Sequence, residues 1–200
     1  MKRVVITGMG ALTPIGNNLE EFWLALKEGK SGAGPITKFD ATKFKTRFAC
    51  EIKNFDITKF LDRKETRRYD IFTQYALVTA NEAIKQAKLN FKELNTNKIG
   101  VIWGSGNGGV QTFEDNVTDY VKGDGTPRFN PYLIPKMIVD IAAGVISIKH
   151  GLRGVNYCPV SACASSTTAI IDAFNYIKWG KANVIVAGGS DMAITPSCIG

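Results

Sequence analysis

The stretch VNYCPVSACASSTTAIIDAFNYIKWGKANVIVAGG, residues 155–189, decides the fold. It opens on an extended, partly β-branched run over residues 155–162. From Cys163 to Trp179 the pattern turns helical, and Ala169, Ile170, Ala173, Phe174 and Ile177 are expected to mark the buried face. It closes on Val184–Ala187, a continuous apolar run ended by Gly188 and Gly189, as a parallel strand covered on both faces requires. Strand, helix and strand in that order make one crossover unit of a parallel sheet.

The same alternation extends outward. Ile99–Trp103 is a compact apolar strand running into the glycine loop GSGNGG, residues 104–109. Upstream, Asp62 with Glu65 three residues on forms a helix start of capping-box type. Phe72, Ala76, Ala80, Ala83 and Ala87 follow at spacings of four and three, predicting one long helix from Asp62 with a single apolar stripe. Val4–Thr7 predicts a first strand ending in a glycine-containing turn, and Phe22–Lys27 a short helix. Residues 30–60, punctuated by Gly and Pro, read as an excursion over the surface. Residues 110–150 read as helical pieces, broken around Gly123–Pro127 and Pro131–Pro135. The whole pattern is that of an α/β protein with a mainly parallel sheet.

With 200 residues, 44% hydrophobic and 22% charged, the chain is neither disordered nor fibrous. No run is long and apolar enough to span a bilayer, and the start MKRVVITGMG is too broken for a signal peptide, so a cytoplasmic location is expected. Cys50, Cys158, Cys163 and Cys198 show no C-x-x-C spacing, so neither a metal nor a redox motif is expected. An excess of 25 basic over 18 acidic residues, net +7, favours an acidic partner without naming it. Gly8, Gly10 and Gly16 miss the dinucleotide fingerprint, because Thr13 and Pro14 stand where its third glycine belongs. GSGNGG lacks the Lys-Ser/Thr of a phosphate loop. No cofactor is expected.

The thiol at position 163 is the candidate for chemistry. It falls where a strand gives way to a helix, and in open parallel sheets the reactive crevice lies beyond the carboxyl ends of the strands. The first amides of a helix lack internal partners and carry partial positive charge. Cysteines so placed gain thiolate character, and the same amides can hold the oxyanion of a tetrahedral adduct. Small neighbours (Ser161, Ala162, Ala164, Ser165) leave room for a substrate carbonyl, as in a nucleophile elbow. Free cysteine is also among the residues most often buried, so local pattern alone leaves a catalytic and a packing role both open. Cys50, Cys158 and Cys198 lack this setting and are expected to be packing residues.

These residues carry a resemblance. VSACASS (160–166) with NVIVAGGSD (183–191) resembles the active-site segment of the thiolase-type condensing enzymes, and within them the elongating β-ketoacyl-[acyl-carrier-protein] synthases. VVITGMGALTPIG (4–16), RKETRRYD (63–70), GSGNGG (104–109) and GLRG (151–154) extend the likeness over nearly the whole chain. It implies a layered αβαβα fold of two duplicated α/β halves, with this chain as the N-terminal half and the second half lying beyond Gly200, and a homodimer. It implies Cys163 as the nucleophile that takes an acyl chain from acyl carrier protein. Malonyl-carrier protein then decarboxylates, and its carbanion attacks the thioester. Two histidines and a lysine of the second half serve that step. His150, the only histidine, matches neither and is expected to be a surface or loop residue.

The resemblance further places Asn107 at the acyl pocket, where elongating synthases carry a bulky apolar gate residue. It places Leu133 where the chain crosses the dimer interface, although an ordinary core leucine fits that position too. Lys64, Arg67 and Arg68 share a helix face and match positions that contact the acidic carrier protein. No aromatic interleaving accompanies them, so nucleic acid is not expected, nor is membrane insertion. The competing functions are a priming synthase using acyl-coenzyme A, a non-catalytic chain-length subunit, and a scaffold domain with an inert thiol.

Overall fold

The computed structural model describes residues 2–200. No strand forms over Val4–Thr7: residues 2–10 join no ladder, and Val5 and Ile6 are exposed. β-Branched residues make a strand only where a neighbour supplies backbone partners. Here the partners are side chains of a helix. Met9 N–H donates to Gln86 Oε1 at 2.7 Å, and Ala11 N–H to Glu82 Oε2 at 2.8 Å. Gly8 and Gly10 lie directly on that helix's backbone, where a Cβ on either would collide with the carbonyl oxygens of Ala83 and Thr79.

Helix α1 (Leu19–Lys27) starts three residues before the predicted Phe22, because Asn18 caps it by accepting from Glu21 N–H. The excursion over 30–60 carries only a two-residue antiparallel pair, β1 (Gly34–Pro35) with β2 (Phe48–Ala49). The capping box at Asp62 and Glu65 forms as expected and opens α2 (Arg63–Arg68). The predicted single long helix does not form. Tyr69 is extended, and Asp70 caps a second helix, α3 (Ile71–Gln86), by accepting from Phe72 N–H. An aspartate that offers its carboxylate to a backbone amide competes with helix continuation.

Strand β3 (Ile99–Gly104) is buried along its whole length. Helices α4 (Val110–Lys122), α5 (Leu133–Met137) and α6 (Ile141–His150) follow, with breaks where Gly123–Pro127 and Pro131 predicted them. Pro135 is accommodated in the first turn of α5, where its missing N–H costs nothing. Strand β4 (Asn156–Tyr157) is shorter than the predicted Val155–Ala162, since Pro159 cannot donate to a ladder. Helix α7 (Ser165–Lys178), strand β5 (Val184–Gly189) and α8 (Pro196–Ile199) complete the chain.

The sheet order is β4–β3–β5, parallel throughout. Side chains alternate across β3. Ile99, Val101 and Trp103 face α3 and α6 in a core with Phe72, Leu77 and Ile146. Ile102 faces α7 and meets Ala169 and Ala173. Burying each large side chain of that first core contributes about 1.5–3 kcal/mol relative to exposure. The face of α7 differs from expectation. Ser165, Ala169 and Ala173 are buried, whereas Ile170 and Phe174 point outward with Ile171. Spacing of four aims the small residues at the sheet, and the larger ones form a second apolar face that the chain itself leaves uncovered.

Candidate active site

All three parallel strands release their chains at the same edge. The end of β3 passes into the glycine loop, that of β4 into the Cys163 turn, and that of β5 into Ser190–Asp191. Cys163 sits in a 3-10 turn over Ala162–Ala164, and α7 begins at Ser165, two residues later than the sequence predicted. The thiol is exposed. No side chain caps the turn or the first amides of α7. The Ala164 and Ser165 N–H groups are taken by the Ser161 and Ala162 carbonyls, and the helix start next to the thiol carries partial positive charge.

Close backbone packing fixes this corner. A Cβ on Gly104 would collide with the backbone of Ser165, and one on Gly189 with the Ser166 side chain. The two glycines let α7 begin directly on the strand ends. A Cβ on Gly106 would lie 3.2 Å from the Ala162 carbonyl oxygen, so the glycine loop flanks the Cys163 turn. The carboxylate of Asp191 organises that loop. It accepts from Gly106 N–H and Asn107 N–H at 3.0 Å and from the Ser105 hydroxyl at 2.9 Å. Ser105 Oγ in turn accepts from Gly108 N–H. An open cleft bordered by Cys50, Tyr75, Ser190, Asp191 and Met192 reaches the same sheet edge, but Cys163 does not line it.

Asn107 is exposed on the loop beside Ala162. Leu133 is half-buried and outside both core clusters. It opens α5, whose Met137 carbonyl accepts from Gly109 N–H at 3.0 Å, so this short helix packs on the glycine loop. Lys64, Arg67 and Arg68 are all exposed on α2. The Arg68 guanidinium lies 5.8 Å from the centre of the Tyr132 ring, and Lys149 Nζ pairs with Glu65 at 2.6 Å. α5 therefore bridges the basic helix and the loop next to Cys163.

The other thiols divide. Cys50 and Cys198 are exposed rather than packed as expected, and Cys158 is half-buried. Burial pushes the Cys158 thiol up, with the Asp140 and Asp191 charges adding to the effect. His150 is no free surface residue. It ends α6, with Nε2 2.7 Å from Asn81 Oδ1 and its ring edge-on to Phe91. Burial, and then the Lys149 charge, hold its imidazole below the ordinary value. Among the described residues no group of three or more His, Cys, Asp or Glu is placed to hold a metal. No helix among the described residues is long and apolar enough to cross a membrane.

Sequence reasoning passed over Asp191, took Ser165 only as a small neighbour of the thiol although it is buried, and missed the conformation of Ala162. The spacing of Ser161 and Ser165, one helical turn, was the only local signal for the second. A left-handed alanine leaves no trace in composition.

The family model described as "Beta-ketoacyl synthase, N-terminal domain" matches residues 1–200. The chain belongs to that family. A 3-oxoacyl-[acyl-carrier-protein] synthase 2 of Synechocystis is 47% identical over 98% of this chain and 47% of its own length. The enzyme of the same name from Staphylococcus aureus is 43% identical over 99% of this chain and 48% of its own. The chain thus spans about half the length of the curated relatives it matches. Among solved structures, the ishigamide ketosynthase/chain length factor superposes with a TM-score of 0.89 at 25% identity, over 98% of this chain and 49% of the other. A type II polyketide synthase acyl-carrier protein in complex with its ketosynthase bound to the hexaketide gives a TM-score of 0.84 at 25% identity, over 100% and 53%. This β-ketoacyl synthase domain therefore shares the α/β fold of ketosynthases, the thiolase-like class the sequence pointed to.

Proposed function

We propose that the chain is the nucleophile-bearing N-terminal half of an elongating 3-oxoacyl-[acyl-carrier-protein] synthase. The observation that carries this reading is the exposed thiol of Cys163, beside uncapped helix amides at the carboxyl edge of a parallel sheet. The Cys163 sulfur attacks the carbonyl of an acyl-carrier thioester, and the carrier's thiol leaves. Malonyl-carrier protein then loses carbon dioxide, its carbanion attacks the Cys163 thioester, and the sulfur departs as the carbon–carbon bond forms. Splitting the condensation in this way replaces one difficult step by two easier ones. The helix amides hold the oxyanion of each tetrahedral adduct. The groups that stabilise the decarboxylation charge belong to the second half of the fold.

The carrier protein docks on Lys64, Arg67 and Arg68, and α5 leads from that patch to the glycine loop and the thiol. Asn107 borders the acyl chain and, with an amide where an apolar gate would stand, suits a shorter, more polar or unsaturated chain, because an unpaired amide in a purely apolar surround costs free energy. A second copy covers the outward face of α7 at Ile170, Ile171 and Phe174, next to the edge strand β4, and Leu133 closes the partner's pocket. A non-catalytic chain-length role is disfavoured by the presence of Cys163 itself.

Iodoacetamide labelling with peptide mapping tests the central assignment. Cys163 should be alkylated about tenfold or more faster than Cys50 and Cys198, as activated thiols near helix amides are. Equal rates at the three exposed thiols would remove the nucleophile from the proposal.

A further inference from the structure

Ala162, the residue immediately before the thiol, holds φ at +51°. A non-glycine residue in the left-handed region is strained, and such strain persists only where surrounding contacts over-determine it. One hydroxyl supplies two of those contacts. Ser165 is 2% exposed. Its Oγ accepts from Ser161 N–H at 2.9 Å and donates to the Ala162 carbonyl at 2.7 Å. The Ser165 backbone N–H donates to the same carbonyl, and Ala164 N–H closes back on the Ser161 carbonyl at 3.0 Å. A single buried side chain thus ties together the backbone on both sides of the left-handed residue. Ser161 Oγ and Thr168 Oγ1, 2.8 Å apart, add a brace between the turn and the first turn of α7, but neither hydroxyl hydrogen-bonds to Ala162.

We infer that Ser165 is a positioning residue for Cys163. Its hydroxyl holds Ala162 in the left-handed conformation that turns the chain and presents the sulfur outward, beside the α7 amides rather than toward the sheet. The inference rests on the reading of Cys163 as nucleophile and adds the device that aims it. Ser165 touches no reacting atom. Its influence passes through the Ser161 amide and the Ala162 carbonyl.

The decisive measurement is the rate of Cys163 alkylation by iodoacetamide relative to Cys50 and Cys198 in the same molecules. Both reference thiols are exposed, so the ratio is insensitive to a general loss of stability. Ser165→Ala should lower it about five- to tenfold, the consequence of losing two hydrogen bonds that hold a strained turn. The double variant Ala162→Gly/Ser165→Ala should recover most of the ratio, because glycine adopts positive φ without a Cβ penalty. If Ser165→Ala alone fails to fold, recovery of both the fold and the ratio in the double variant supports the same conclusion. An unchanged ratio in folded Ser165→Ala, or a ratio that stays low in the folded double variant, overturns the assignment. Failure of the parent reading is separate and visible without any variant, as equal labelling of the three thiols in the unaltered protein.

Discussion

Gly104 and Gly189 do for the strand ends what no other residue type could. Each lies against α7 so closely that a β-carbon would enter Ser165 or Ser166. At Gly104 the obstructing atoms are backbone, which cannot rotate away as a flexible side chain can. Gly104→Ala is therefore expected to displace the start of α7 at a cost of about 1–3 kcal/mol, the range for forced overpacking. Urea denaturation reads this as a lower midpoint at unchanged slope. A midpoint equal to that of the unaltered protein would mean that the helix start is not seated on the strand. Asp191 works at the same scale by a different force, since a carboxylate accepting backbone N–H groups makes hydrogen bonds about twice as strong as neutral ones. It lets a loop rich in glycine keep one conformation next to the thiol, against the large entropy such a loop would otherwise retain.

Among the elements, α6 shows how a helix end is held. Its last residues face two neighbours, Glu65 of α2 through Lys149 and Asn81 of α3 through His150. The His150 ring is only half buried, and its folded-state value lies below the ordinary 6.5. The unfolded chain therefore binds the proton more readily, and stability rises with pH through this window. The contribution of neutral His150 is complete above the unfolded value and is lost as pH falls through it toward the folded one. The urea midpoint should fall more between about pH 7.5 and 5.5 in the unaltered protein than in His150→Gln, by less than about 1 kcal/mol given solvent screening. Identical pH profiles would contradict it. The elements themselves were legible where one physical signal dominated. The apolar run of β3 can only be a buried strand, and Asp62 with Glu65 can hardly be anything but a cap. That of β5 forms its strand but lies at the sheet edge, where only Val186 is buried and the cover expected on both faces is incomplete. Misreadings arose where tertiary partners chose between local options. Asp70 broke a helix that periodicity favoured, and α3 side chains took the amides of Val4–Thr7's neighbours that a strand would have paired. At the site, the position of Cys163 at the turn before α7 was legible, two residues ahead of the helix start. The left-handed Ala162 was not, because its conformation is imposed by Ser165 rather than by its own side chain.

Across the whole molecule, the +7 net charge acts through where it is concentrated. Arg63, Lys64, Arg67 and Arg68 stand exposed on a helix of six residues whose only acid, Glu65, is already engaged by the Asp62 amide and Lys149. Their charge therefore projects outward with little neutralisation from within the helix. An acidic partner approaching this side meets α2, then α5 through the Arg68–Tyr132 contact, then the glycine loop, the path the proposed carrier docking requires. Steering of this kind raises the encounter rate more than it tightens the complex, and salt screens it within about 10 Å at 0.1 M. In a full-length synthase carrying this domain, Arg67→Glu/Arg68→Glu should raise the KM for acyl-carrier protein about tenfold or more at low salt, since both an attraction is lost and a repulsion gained. The kcat should remain close to its original value, because neither side chain reaches the thiol. The gap between variant and unaltered protein should narrow as salt approaches 1 M, where the screening length is about 3 Å. A KM that ignores both the charge reversal and the salt would place the carrier protein on another face, and α5 would then be a support for the glycine loop alone.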